Sequence, residues 1–146
     1  MAVCTFFGHR DCSFEIKDRL TKTVENLILN QSVDTFYLGN QGKFDKMALE
    51  VLEELNKKYP YISYHISLAY IHSKKQNYDT LDYTKTFCPD GLENVPPKFS
   101  ILWRNNWMLC KSDYVVAYVK HSWVGAAQFV EKAIRQKKYV INLADI

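Results

Sequence analysis

Three times in this chain an apolar, β-rich run ends in a glycine-bearing polar turn that leads into helix-like sequence. Ala2-Val3-Cys4-Thr5-Phe6-Phe7 runs into Gly8-His9-Arg10-Asp11, and Thr35-Phe36-Tyr37-Leu38 runs into Gly39-Asn40-Gln41-Gly42. Tyr114 to Val119 leads into His121-Ser122-Trp123-Val124-Gly125-Ala126. Glycine lets a backbone bend tightly and approach a ligand, and a helix that starts just beyond offers free N–H groups to an anion. Three such turns in one small domain point to a phosphate-bearing ligand at the carboxyl edge of a parallel sheet.

The remaining periodicity fits that sheet. Ile16, Leu20, Val24, Leu27 and Ile28 recur with helical spacing, as do Phe44, Met47, Ala48, Val51, Leu52 and Leu55 ahead of Pro60. Ile62 to Tyr70 alternates like a strand. From Ile71 to about Phe99 the pattern fades among Asp79, Pro89, Gly91 and Pro96-Pro97, so residues 71–98 read as a loop or lid. Phe99, Leu102, Trp103, Trp107 and Cys110 mark a further helix, followed by a strand from Tyr114, a helix carrying Ala126, Val130 and Ala133, and a last strand at Tyr139 to Leu143. Strands alternating with helices predict an α/β fold, a mostly parallel sheet of about five strands covered on both faces. The 146 residues form one domain by length.

Composition excludes several classes of function. Cys4, Cys12, Cys88 and Cys110 show no Cys-x-x-Cys pair, and the four histidines are scattered, so neither a disulfide framework nor a metal site is expected, and no cofactor is called for. No apolar run is long enough to cross a bilayer and no export signal is visible, so no membrane association and a cytoplasmic location are expected. The net charge of +3 is modest and its cations are interleaved with acids, which argues against nucleic acid as a partner.

Chemistry is expected at the turns. Arg10 has the fork geometry to hold a phosphate through two hydrogen bonds, with Gly8 and His9 beside it; pairing of Arg10 with Asp11 is the plain structural alternative. Gly39, Asn40, Gln41 and Gly42 frame amide groups that read polar atoms, and Asp45 either reads ribose or serves the helix dipole. Ser122, Trp123, Gly125 and Ala126 open the last helix with small or stacking residues. Arg104 and Asn105 interrupt an aromatic helix, and Asn106 falls on its apolar stripe, where it needs a partner. No Gly-x-Ser-x-Gly elbow, Walker lysine motif or His-Glu-x-x-His pair is present.

Phe7-Gly8-His9-Arg10, Gly39 to Asp45, Pro89 to Pro97, Arg104 to Met108 and Val124 to Ala127 fall in an order that resembles the SLOG superfamily of SMF/DprA and LOG proteins. The similarity is greatest to small standalone bacterial or phage members related to the YpsA group. This resemblance implies a Rossmann-like three-layer sandwich over residues 1–146 that binds nucleotides or nucleotide-derived molecules, commonly as a homodimer. Some members cleave N-glycosidic bonds, others sense nucleotide signals such as cyclic ADP-ribose derivatives, and DprA-type members bind single-stranded DNA. The hydrolases carry Pro-Gly-Gly-x-Gly-Thr-x-x-Glu at the third turn. Aligned on Gly125, Phe129 stands where their catalytic glutamate would be, and neither Gln128 nor Glu131 is in register to replace it. The expectation is therefore a sensor or sequestering protein for an ADP-ribose-like molecule or nucleoside phosphate. A nucleoside-monophosphate N-glycosidase using Asp45 or Glu93 is the alternative.

Overall fold

A computed structural model describes residues 2–40, 42–69, 85–120 and 125–144. Strands β1 (Ala2–Gly8), β2 (Val33–Leu38), β3 (Ser63–Ser67), β4 (Thr86–Phe87), β5 (Tyr114–Tyr118) and β6 (Tyr139–Asn142) form one sheet in the order β4-β3-β2-β1-β5-β6. All five neighbouring pairs are parallel. The helices are α1 (Lys17–Asn30), α2 (Lys43–Lys58), α3 (Ser100–Lys111) and α4 (Gly125–Arg135). The architecture is α/β and Rossmann-like.

Alternation along the central strands assigns the two layers. Cys4, Phe6, Phe36, Leu38 and Val116 join the helical stripes of α1 and α2 in one core. Phe7, Val115 and Ala117 point the other way, to Met108 and Leu109 of α3 and Phe129 and Ala133 of α4. The predicted stripe of α2 is buried residue for residue, because each of its six apolar positions falls on one side of a 3.6-residue turn.

Among the described residues the sheet has six strands where about five were expected, and the extra one lies inside the segment read as a loop. Thr86 pairs with Ile66 and Phe87 with Ser67. The Phe87 ring lies 5.2 Å from that of Trp107 and 5.8 Å from that of Tyr37. Leu92 is buried in a short 3₁₀ turn, and a second such turn at Pro97–Phe99 leads directly into α3. A two-residue strand leaves no alternation to read, so packing of its rings decides the outcome rather than periodicity. Residues 70–84 of that segment lie outside the described residues. No helix among the described residues is long and apolar enough to cross a membrane.

Candidate functional site

The chain leaves β1 toward β2 on one side and later places β5 on the other, so the carboxyl ends of β1 and β5 diverge into a crevice. A cleft of about 1450 Å³ opens there, bounded by the β1 loop, the start of α2, the inner face of α3 and the start of α4. Arg10, Lys43, Lys46, Arg104 and Lys120 line it, against the carboxylates Asp11, Asp45 and Glu50. The excess of cations makes the cleft an attractive place for an anion.

The β1 loop is fixed from both sides. His9 N–H donates to the Tyr118 carbonyl (3.2 Å), and His9 Nε2 accepts from the Lys120 N–H (2.7 Å). With Nε2 accepting, the neutral ring carries its proton on Nδ1. Asn142 of β6 braces the far side, exchanging two 3.0 Å bonds with the backbone of Val119. The carbonyl of Arg10 accepts from Lys43 N–H at 2.8 Å, tying the loop to the first turn of α2. Arg10 does not pair with Asp11, whose carboxylate instead meets Lys43 Nζ at 3.1 Å. The exposed Arg10 guanidinium has no hydrogen-bond or ion-pair partner among the described residues.

Arg104 contrasts with it, being only 2% exposed. Its guanidinium donates to the Ser67 carbonyl (3.3 Å), Asn40 Oδ1 (3.3 Å) and Asn105 Oδ1 (3.1 Å), joining the ends of β2 and β3 to α3. A side chain on Gly39 would place its Cβ 2.9 Å from the Arg104 guanidinium carbon, so Gly39 is what lets this arginine pass beneath the end of β2. Asn40 and Asn105 therefore each direct an oxygen at Arg104. Asn106 finds its partner in Lys132 of α4.

Asp45 sits in the first turn of α2, behind Gly42 at the cap, and faces the cleft. Gly125 and Ala126 reach the cleft from α4. Gly8, His9, Arg10, Gly39, Asp45, Arg104 and Asn105 line the same space. Gln41, Ser122 and Trp123 lie outside the described residues. Sequence reasoning overlooked Phe14, Lys46, Lys120 and Cys12, all of which line the cleft. The position of Lys120, two residues past the end of β5, was the available signal for one of them. Burial, reinforced by the charge of Asp11, pushes the Cys12 thiol above its ordinary pKa, which keeps it protonated and a poor nucleophile.

Phe129 is buried and stacked on Phe7, with ring centroids 5.2 Å apart. An apolar ring thus occupies the helix position where a glycosidic hydrolase of the resembled type would carry its acid.

The fold and the crevice define a Rossmann-like α/β domain with its candidate site at the switch point of a parallel sheet. No protein-family model and no curated protein matches the chain. Among solved structures it is similar to DNA processing protein A (DprA) from Streptococcus pneumoniae, with 16% identity and a TM-score of 0.71 over 96% of this chain and 49% of that one. It is also similar to DNA processing protein A from Helicobacter pylori, whose structure is described by its single-stranded DNA binding mode. That match has 16% identity and a TM-score of 0.58, and covers 95% of this chain and 63% of the other. The chain thus spans about half of the first protein and less than two thirds of the second.

The expectation against nucleic acid is overturned by this finding, since a protein of the same fold is described as binding single-stranded DNA. The error was physical: net charge averages the whole surface, whereas binding depends on the local field, and in this cleft cations outnumber carboxylates.

Proposed function

We propose that this domain binds a phosphate-bearing nucleotide or nucleotide-derived molecule, ADP-ribose-like or a nucleoside phosphate, in the cleft at the carboxyl edge, and acts as a sensor or sequestering protein. The observation that carries the reading is Arg10. It lines a cationic crevice on a loop fixed through its own backbone, and its exposed guanidinium has no partner among the described residues. Such a planar fork matches the two oxygens of a phosphate. The cleft exceeds the roughly 300–1000 Å³ of ordinary small-molecule pockets, which suits a ligand larger than a mononucleotide. Phe129 at the hydrolase acid position supports binding over hydrolysis.

The test is a thermal-shift screen against nucleoside phosphates, ADP-ribose and cyclic nucleotides, with every stabilising compound recovered and chromatographed. A ligand specific for the native state raises the melting temperature with its concentration. Recovery of intact ligand supports a sensor or sequestering role, and recovery of free base plus ribose phosphate refutes it in favour of an enzyme.

A second reading, single-stranded nucleic acid as the ligand, is favoured by the fold shared with DprA and by the size of the cleft. It predicts that binding of an oligonucleotide weakens steeply as salt rises, because each neutralised phosphate releases counterions.

A further inference from the structure

Two large apolar side chains that line the cleft are exposed, Leu102 (47%) on the α3 wall and Phe14 (69%) on the opposite lip. Single exposed apolar residues are ordinary on protein surfaces, so exposure alone means little. Phe14 differs in how it is held. It begins a 3₁₀ turn, Phe14–Ile16, capped by Ser13, whose hydroxyl accepts from the Glu15 N–H at 3.2 Å. Cys12 before it and Ile16 after it are both buried and anchor the turn in the core. Lys17 Nζ lies 5.4 Å from the ring centroid and is itself tethered to Glu50 and Glu54. The chain around the ring is therefore fixed while the ring stays in solvent, four residues beyond Arg10. Both residues line the one cleft, and four residues of chain separate their Cα atoms by at most about 14 Å, so ring and arginine belong to the same lip.

We infer that Phe14 is a base-stacking platform, and that the cleft takes a ligand carrying a planar nucleobase joined to the phosphate held by Arg10. This rests on the proposed phosphate reading of the same cleft and adds what that reading leaves open, the non-phosphate half of the ligand. An aromatic face accepts any base, so the platform selects for the presence of a base over a bare sugar phosphate rather than for one base over another. A free nucleotide and a single-stranded nucleic acid both supply this chemistry.

The experiment is calorimetric titration of AMP, ADP-ribose, ribose 5-phosphate and a short oligodeoxythymidine into wild type, Phe14→Ala, Phe14→Trp and Arg10→Ala. The platform predicts that Phe14→Ala weakens the base-bearing ligands by between about 5-fold and about 150-fold and leaves ribose 5-phosphate unchanged. Phe14→Trp should retain affinity, and its indole fluorescence should be quenched on binding. Phe14→Ala acting only on the oligonucleotide would place the platform under a strand, whereas action on AMP or ADP-ribose places it under a free nucleotide. Unchanged affinity in Phe14→Ala together with loss in Arg10→Ala would overturn the platform and leave the phosphate reading standing. No binding of any of the four ligands by wild type would overturn both.

Discussion

Gly42 and Gly125 each open a helix on the wall of the same cleft, from opposite layers of the sandwich. At the start of α2, Gly42 adopts φ 99°, and a Cβ there would meet the Arg10 Cα at 2.6 Å. The first N–H of α2, from Lys43, is already taken by the Arg10 carbonyl. At Gly125 a Cβ would meet nothing within 4 Å among the described residues. One helix start is closed by the protein's own backbone, and the other is unobstructed by any described residue. Identical residues in similar turns can therefore serve packing in one place and ligand access in another, and only the neighbours distinguish them.

Gly42→Ala should have the largest effect. It combines a backbone conformation reserved for glycine with a clash against backbone that cannot rotate away, so a loss of about 3 kcal/mol or more is expected in denaturant unfolding. A loss below about 1 kcal/mol would mean that the β1 loop and α2 are not locked together, and the contrast with Gly125 would dissolve.

Gly8→Ala should come next. Its Cβ would lie 2.4 Å from the ring of Phe44, which is buried in the main core, so overpacking should cost about 1–3 kcal/mol. Combining it with Phe44→Leu should recover part of that loss, because the two changes share one space. Strict additivity of the two losses would show that the crowding inferred at Gly8 is not felt.

These two glycines mark the limit of what the sequence disclosed. Strands β1, β2, β3, β5 and β6, helices α1 to α4 and the parallel order were legible because each long element repeats its apolar residues at its own period, as in Phe44 to Leu55 of α2. Strand β4 was not legible, since Thr86–Phe87 is too short for any period and is held by Tyr37 and Trp107 from distant segments. At the site, Gly8, Arg10 and Arg104 were all singled out, yet their different surroundings could not be read. Arg104 is buried and bound to three oxygens, while Arg10 is exposed, and neither the aromatic helix around the one nor the polar turn around the other announces it. Phe14 was overlooked for the same reason: in sequence it is one more aromatic ahead of an amphipathic helix. Tertiary contacts separate these cases, and periodicity carries no information about them.

Arg10→Ala sharpens the comparison on the ligand side. An exposed guanidinium without a partner among the described residues should leave stability within about 0.5 kcal/mol of wild type. The affinity for any phosphate-bearing ligand should fall by about tenfold or more, the scale of a lost charge-assisted bond. Titration and thermal unfolding on the same preparation separate the two effects. Unchanged affinity would remove Arg10 from the site.

Gly125→Ala is the smallest expected change in stability and the most direct probe of the contrast. With no described residue within 4 Å of the added methyl group and alanine the better helix former, stability should hold or rise by up to about 0.5 kcal/mol. If the open start of α4 receives the ligand, that methyl group lies between ligand and backbone, and affinity should drop several-fold while the melting temperature of the free protein does not. Should affinity also stay the same, the start of α4 is a bystander. The cleft's ligand would then rest on the β1 loop and α3, with the glycines at the carboxyl edge serving packing alone.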